Sequence, residues 1–198
     1  MAHTSPLILV TGASGHVGAL IVDALLERVP AGRIVATARE TASLSAFAKR
    51  DISVRRADYA DPASLDAAFA GVGTVLLVSS NAVGARVEQH RNVIEAAKRA
   101  GVGLLAYTSV LRADTSTLSL AGEHVTTEAL LRDSGVPHVL LRNGWYTENY
   151  TGSIGPELAH GAVIGSSGDG RISAATRADY AAAAAAVLAS AEPQAGRI

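Results

Sequence analysis

An apolar run, PLILVT at residues 6–11, gives way without a spacer to TGASGHVG at residues 11–18, and a helical pattern begins inside that second string. The first run is continuous rather than alternating, as expected of a strand buried on both faces. From His16 to Arg28, Val17, Leu20, Ile21, Ala24 and Leu25 then recur at helical spacing. Gly12, Gly15 and Gly18 therefore fall at the turn between a strand and a helix, which gives their G-x-x-G-x-x-G spacing a meaning that isolated glycines lack. Gly12 permits the tight turn, Gly15 admits an anion close to the backbone, and Gly18 lets the helix approach the strand. The unpaired N–H groups and the dipole of the helix start favour a phosphate there. The alternative is a turn of structural glycines with no ligand.

The same alternation recurs along the chain. Strands are expected at Arg33–Thr37, Ile52–Arg56, Thr74–Val78, Leu104–Thr108 and Pro137–Leu141. Helices are expected at Ala42–Lys49, from Asp61-Pro62, at Val83–Arg99, at about Leu118–Asp133 and at Thr176–Ser190. Asp61 and Pro62 suit the N-cap and first helical position. Thr176 to Asp179 resembles a capping box with Asp in place of Glu. Between Tyr150 and Thr176 the pattern weakens into a glycine-rich, turn-rich stretch. Strand–helix alternation with apolar strands predicts an α/β fold, a doubly wound parallel sheet of Rossmann-like type. Residues 1–198 read as a single dinucleotide-binding domain, with a partial substrate-side segment at 151–198.

In such a sheet the residues that follow the second strand choose between the two nicotinamide dinucleotides. Here they are Arg39 and Glu40. Arg39 suits a 2′-phosphate and favours NADPH; Glu40, as a candidate ribose ligand, leaves NADH open. Asp58, with Tyr59, is expected to flank the adenine, and a turn-forming role for Asp58 is the alternative. The formal net charge of −1 gives no electrostatic reason to expect nucleic acid or an anionic membrane as partner. The longest apolar run, Ala181 to Ala189, falls far short of the roughly 20 residues that span a bilayer. There are no cysteines, which removes disulfides, thiol catalysis and Cys-bound metal, and fits a cytoplasmic setting. The start, MAHTSP, has no leader-like pattern. No His/Asp/Glu spacing resembles a metal site, and no metal is expected.

Many carbonyl reductases pair a Tyr with a Lys four residues on, the Lys lowering the Tyr pKa. None of the five tyrosines has that partner; the two lysines, Lys49 and Lys98, fall near helix C-termini. What suits a bound nicotinamide without such a relay is an electron-poor acceptor such as a quinone, whose reduced anion is delocalised and needs little help from a positioned acid. A non-catalytic NADP-binding regulator would lack the pair equally. His90 reads as a partly exposed residue on its helix. His124, near the start of the next helix and after Thr108-Ser109, is a candidate for the crevice. Ser109 and Ser116 lack the G-x-S-x-G elbow of a hydrolase.

Three of the eight aromatic residues fall in LRNGWYTENY, residues 141–150, directly after the last strand. Ligands of open α/β sheets bind beyond the carboxyl ends of strands. Asn143 and Asn149 offer amide hydrogen bonds, Gly144 a close backbone approach, and Tyr146 and Tyr150 flat faces with hydroxyl ends. Asn143, Tyr146 and His124 are the catalytic candidates. The alternative is a core Trp145 with two half-buried tyrosines beneath a loop.

With these residues in view, the chain resembles the NmrA-like group of atypical short-chain dehydrogenases/reductases, and within it the type 2 NAD(P)H:quinone oxidoreductases, with triphenylmethane-dye reductases as near cousins. The resemblance rests on TGASGHVG, RRADYADP, LLVSSNAVGARVEQHRNVIEAAKRAGV, AYTSVLRADTS, LLRNGWYTENY and GDGRISAATRADYA. It implies NADPH contacts at Gly12, Ala13, Ser14, Gly15, His16 and Val17, at Arg39, at Ser79, Ser80 and Asn81, and along Gly144, Trp145, Tyr146, Thr147, Glu148 and Asn149. It also implies hydride transfer to a small quinone-like substrate, with a dye or imine as another acceptor; a homodimer is left open. Two residues depart from the group: Asn81 stands where a third Ser is frequent, and Ala129 where the bacterial quinone reductase has Lys. The group also carries a C-terminal part that caps the substrate crevice, so this chain is expected to be a truncation or a minimal form.

Overall fold

Six parallel strands form one sheet in the computed structural model, which describes residues 6–163, 165, 166 and 168–198. Residues 1–5, most of the stretch searched above for a leader, lie outside the described residues. The strands are β1 (Leu7–Val10), β2 (Ile34–Ala38), β3 (Ser53–Arg56), β4 (Val72–Leu77), β5 (Leu104–Val110) and β6 (His138–Asn143). Their order is β3-β2-β1-β4-β5-β6, all parallel. The direction of winding reverses between β1 and β4, which opens a crevice at their carboxyl ends.

The continuous apolar strands are explained by two cores, one on each face. Ile8 and Val10 of β1 face one helical layer, and Leu9 faces the other. Ala36 against Val35, and Ala106 against Leu105 and Tyr107, repeat the division in β2 and β5. One layer holds α1 (His16–Leu26), α2 (Ser45–Ala48) and α8 (Arg177–Leu188); the other holds α3 (Pro62–Phe69), α4 (Arg86–Arg99) and α5 (Ala121–Ser134). The alanine run of α8 buries Ala181, Ala184, Ala185 and Leu188 in the same core as Ile21, Val22 and Leu25 of α1. The Thr176–Asp179 capping box is formed in both directions.

Several boundaries shift. β5 and β6 run two residues further than their apolar patterns, to Val110 and Asn143. α4 begins at Arg86 rather than Val83, because Gly84 takes φ +87 and breaks the approach. The stretch after Tyr146 is more ordered than its glycines suggest: β7 (Trp145–Tyr146) pairs in parallel with β8 (Ala174–Ala175), and α6 (Glu148–Thr151) and α7 (Ile154–His160) lie between them. Gly196 N–H donates to the His138 carbonyl at 2.8 Å and Leu140 N–H to the Arg197 carbonyl at 3.1 Å, so residues 196–197 continue the hydrogen bonding along β6. Among the described residues no helix is long and apolar enough to cross a membrane.

Candidate functional site

The glycine turn sits at the switch point. Gly12 takes φ +59, and a Cβ on Gly18 would lie 2.3 Å from the Gly12 carbonyl oxygen, so only a glycine lets α1 close onto the turn. Gly15, the N-cap of α1, caps it with no side chain, and the first turn carries no acidic residue. Ser14, Gly15 and His16 are exposed, while Ala13 is buried and its N–H donates to the Thr37 carbonyl at 2.9 Å. The helix start therefore presents free N–H groups to solvent, with no negative charge on its own first turn to oppose an anion, and a dinucleotide pyrophosphate fits it. Arg39 and Glu40 lie exposed just past β2, on the same carboxyl edge of the sheet.

Beneath the turn, Thr11 and Tyr59 join three strand ends. The Thr11 hydroxyl contacts the Tyr59 hydroxyl and accepts from Val78 N–H at 3.0 Å, and Tyr59 donates to the Val78 carbonyl at 2.8 Å. Burial pushes the Tyr59 phenol well above its ordinary pKa, so it stays a neutral donor. Tyr59 thus turns inward under Gly12 rather than outward beside an adenine. Asp58 makes the tight turn its alternative reading described, accepting from Ala60 N–H at 2.9 Å.

The loop after β4 is clamped from α4. Ser80 N–H donates to His90 Nε2 at 2.9 Å, its carbonyl accepts from Arg86 Nε at 2.6 Å, and its hydroxyl bonds Gln89. Arg86 pairs with Glu123 of α5 at 3.0 Å, and Glu123 also accepts from Gly84 N–H at 2.9 Å. The expectation of a partly exposed His90 is wrong: it is fully buried, with Nδ1 on the Thr127 hydroxyl at 3.0 Å. Since Thr127 donates to the Glu123 carbonyl, His90 Nδ1 carries the proton and Nε2 is the acceptor. Burial, with help from His124 and Arg86, pushes His90 down to about 3, so the ring is neutral. Asn81 is exposed at the end of this loop, and Ser79 lies half-buried at its start.

Next to this loop a crevice of about 880 Å³ opens over the carboxyl ends of β5 and β6. Ser79, His124, Asn143, Gly144, Trp145, Tyr146 and Asn149 all line it. Asn143 Nδ2 donates to the Tyr146 hydroxyl at 3.1 Å. His124 Nδ1 bonds the buried Tyr107 hydroxyl at 2.6 Å. Among the described residues no buried polar side-chain atom lacks a partner, so the carbonyl of Asn143 and Nε2 of His124, which have no protein partner, keep access to the crevice. Burial and Arg86 push His124 down to about 4, the carboxylates of Glu128 and Glu123 opposing them. Burial likewise raises Tyr146, against the hydrogen bond from Asn143. The Tyr146 ring stands edge-on to Tyr180, with centroids 5.4 Å apart, and carries the Arg177 guanidinium 5.1 Å above its centre.

The rest of the 143–149 segment is fixed by α8. Gly144 N–H donates to the Tyr180 hydroxyl at 3.0 Å, and a Cβ at Gly144 would stand 2.7 Å from that oxygen. The Glu148 carboxylate accepts from Arg177 N–H at 2.9 Å, capping α8, and Thr147 N–H donates to the Ala175 carbonyl. Asn149 is exposed and accepts from Arg177 at 3.3 Å. A core Trp145 is excluded: the indole is 40% exposed on the crevice rim. The glycine turn and the crevice meet at Val78 and Ser79: a Cβ on Gly12 would lie 3.7 Å from Val78, and Ser79 lines the cavity.

Sequence reasoning missed Tyr180, Arg177 and the buried pair of Glu128 with Arg142 (2.7 and 3.0 Å), which also takes the Ser109 hydroxyl at 2.6 Å. Burial pushes Glu128 up, but the hydrogen bonds from Arg142 and Ser109 outweigh it and hold the carboxyl below its ordinary range. The capping box was the available signal for Tyr180, since it fixes that residue in the first turn of α8.

A parallel sheet with a glycine turn at its switch point and a polar crevice over adjoining strand ends defines a dinucleotide-binding α/β protein. The NAD(P)H-binding family matches residues 12–191, and the chain belongs to that family, in its NmrA-like group. Quinone oxidoreductase 2 of Escherichia coli is 55% identical over 182 residues, which is 92% of this chain and 64% of that protein. The crystal structure of an NADPH-dependent quinone oxidoreductase from E. coli complexed with NADPH is similar at TM-score 0.93 and 53% identity, over 96% of this chain and 67% of that one. A Citrobacter sp. triphenylmethane reductase complexed with NADP(H) gives TM-score 0.93 at 36% identity, over 96% of this chain and 68% of that one. The chain thus spans about two thirds of the length of the proteins it matches.

Proposed function

We propose that this chain is an NADPH-dependent oxidoreductase acting on quinone-type, electron-poor acceptors by hydride transfer. Residues 1–198 act as one dinucleotide-binding unit, with 151–198 supplying part of the substrate side. The observation that carries the reading is the convergence of Asn143, Tyr146 and His124 on one crevice, contiguous through Ser79 with the phosphate turn and free of any Tyr/Lys pair. The similarity to an E. coli quinone oxidoreductase supports it.

NADPH, when bound, supplies the hydride. The start of α1, from Gly12 to Val17, would hold the pyrophosphate, and Arg39 the 2′-phosphate. Ser79, Ser80 and Asn81 would border the cofactor across the switch point, with the backbone of Ser80 held by His90 and Arg86. The free carbonyl of Asn143 suits a carboxamide N–H. In the tautomer in which Tyr107 donates to Nδ1, His124 carries its proton on Nε2, facing the crevice, where a neutral imidazole can hydrogen-bond a developing oxyanion. Tyr146 offers a ring face to the acceptor, and positioning supplies much of the rate. The acceptor gains one hydride and one proton, the proton from water, and leaves as a hydroquinone. A reducing, cytoplasmic setting belongs to this reading.

Anaerobic stopped-flow mixing of the protein with NADPH and benzoquinone, followed by NADPH absorbance, tests it. Oxidation well above the enzyme-free rate is expected, and none above that rate overturns the proposal.

A further inference from the structure

Among the described residues the crevice is lined by three arginines, Arg112, Arg171 and Arg177, and by no aspartate or glutamate. The acids nearby are paired or do not line the cavity. Asp114 lies 3.6 Å from Arg142, and Glu148 caps α8 while standing 3.9 Å from Arg177. Asp169 is exposed on the turn before Arg171 and does not line the cavity. Among the described residues neither Arg112 nor Arg171 forms an ion pair. Arg112 also takes φ +53, and its carbonyl accepts from Thr115 and Ser116 N–H at 3.0 and 2.8 Å. A non-glycine residue held in the left-handed region by its own turn, on the wall of a crevice, is the kind of strain that clusters at ligand sites.

We infer that the crevice selects acceptors bearing an anionic substituent on the aromatic ring, such as a sulfonate or carboxylate, over neutral or cationic ones of the same shape. Guanidinium groups at an aqueous cavity wall attract such a substituent both by charge and by paired hydrogen bonds. The rim supplies the complementary apolar surface: Leu111, Leu118, Trp145 and Ile172 line the same cavity and are exposed. An anionic aromatic acceptor meets both. A cationic dye meets the apolar rim and is repelled by the arginines. This inference deepens the oxidoreductase reading and rests on it only for turnover, because the charge preference is a binding property of the crevice.

Two measurements separate them. The first is calorimetric binding of two unreactive probes of one ring size, 1-naphthalenesulfonate and 1-naphthalenemethanol, to the wild type and to the Arg112→Gln/Arg171→Gln double variant, both checked for folding by circular dichroism. The sulfonate is expected to bind about tenfold tighter than the alcohol at low salt, with most of that preference lost in the double variant or in about 0.5 M salt. Equal affinities in the wild type, or a preference that survives the double substitution, overturns the inference. The second is kcat/KM with NADPH for 2-sulfonato-1,4-naphthoquinone relative to 1,4-naphthoquinone. The ratio is expected to fall in the double variant by about the same factor, and an unchanged ratio counts against the arginines. If neither quinone is reduced, the oxidoreductase reading fails and the probe titration still decides the charge preference.

Discussion

Lowering the pH from 7.5 to 5.5 removes about 2.5 kcal/mol of folding stability through two buried histidines. His90 is fully buried and His124 is 5% exposed. Burial leads the causes that push them down to about 3 and about 4. An unfolded histidine titrates near 6.5. Between the folded and unfolded values the unfolded chain binds more protons, so stability rises with pH through that window. The stabilisation is complete above about 6.5 and is lost as the pH falls toward the folded values. At pH 5.5 each histidine is mostly protonated when unfolded and neutral when folded, which is a loss of about 1.3 kcal/mol per ring relative to pH 7.5. Glu128 works in a lower window: its depressed pKa gives stability that is present above the ordinary carboxylate value and lost only in stronger acid.

The groups that face His90 explain why it does not take up a proton. Tyr59 and Tyr107 present ring edges with centroids 6.4 and 5.3 Å away, the Ser80 N–H needs its lone pair, and Arg86 and His124 add positive or potentially positive charge. Urea unfolding followed by circular dichroism at each pH measures the effect. The His90→Gln variant keeps a side-chain acceptor for Ser80 but cannot titrate. It is expected to be less stable at pH 7.5 and to lose about half as much as the wild type on going to pH 5.5. An identical pH slope in the two proteins refutes the assignment of the window to His90, and a flat slope in the wild type refutes the whole argument.

Two further substitutions probe the dinucleotide end. Arg39→Ala is expected to raise the Kd for NADPH by about ten- to a hundredfold while changing NADH by less than about threefold, as removal of a phosphate-binding guanidinium requires; equal losses by calorimetric titration show that Arg39 does not meet the 2′-phosphate. Gly18→Ala places a methyl group 2.3 Å from the Gly12 carbonyl, so either the turn or α1 must move; a loss of about 1–3 kcal/mol in urea unfolding, with weakened NADPH binding, is expected, and full stability with full affinity contradicts the close-approach role.

The sheet was legible because its central strands are buried on both faces, and Leu9 between Ile8 and Val10 has to be apolar whichever core it meets. The glycine turn was legible because its glycines answer to backbone geometry, which a single sequence displays. Less of the crevice could be read. β6 runs past its apolar pattern into Arg142 and Asn143, polar residues whose place in the sheet depends on pairing with Ser109 and Val110 of β5. The burial of His90 depends on Thr127, 37 residues away on a neighbouring helix, and no local spacing announces such a partner. The alternative of a core Trp145 fails: a large ring usually marks a core, whereas here it occupies a two-residue strand on the crevice rim.

Tyr180 and α1 suggest why the two ends of the site stay in register. The start of α1 is the glycine turn itself. The buried face of α1 is packed against α8 through Ala181, Ala184, Ala185 and Leu188, side chains short enough to let the two helices approach closely. The first turn of α8 then reaches across to the other end of the site: Tyr180 takes the Gly144 N–H, Arg177 covers the Tyr146 ring, and Glu148 closes the α8 cap. α8 is therefore a packed bridge, outside the sheet, from α1 to the segment that holds Asn143 and Tyr146. The opposite face has its own link, from Ser80 through His90 to Thr127 and from Arg86 to Glu123, which ties the loop after β4 to α5 and so to His124. The glycine turn and the segment carrying Asn143 and Tyr146 are thus bridged through α8 in one helical layer, and the loop after β4 and His124 through α4 and α5 in the other.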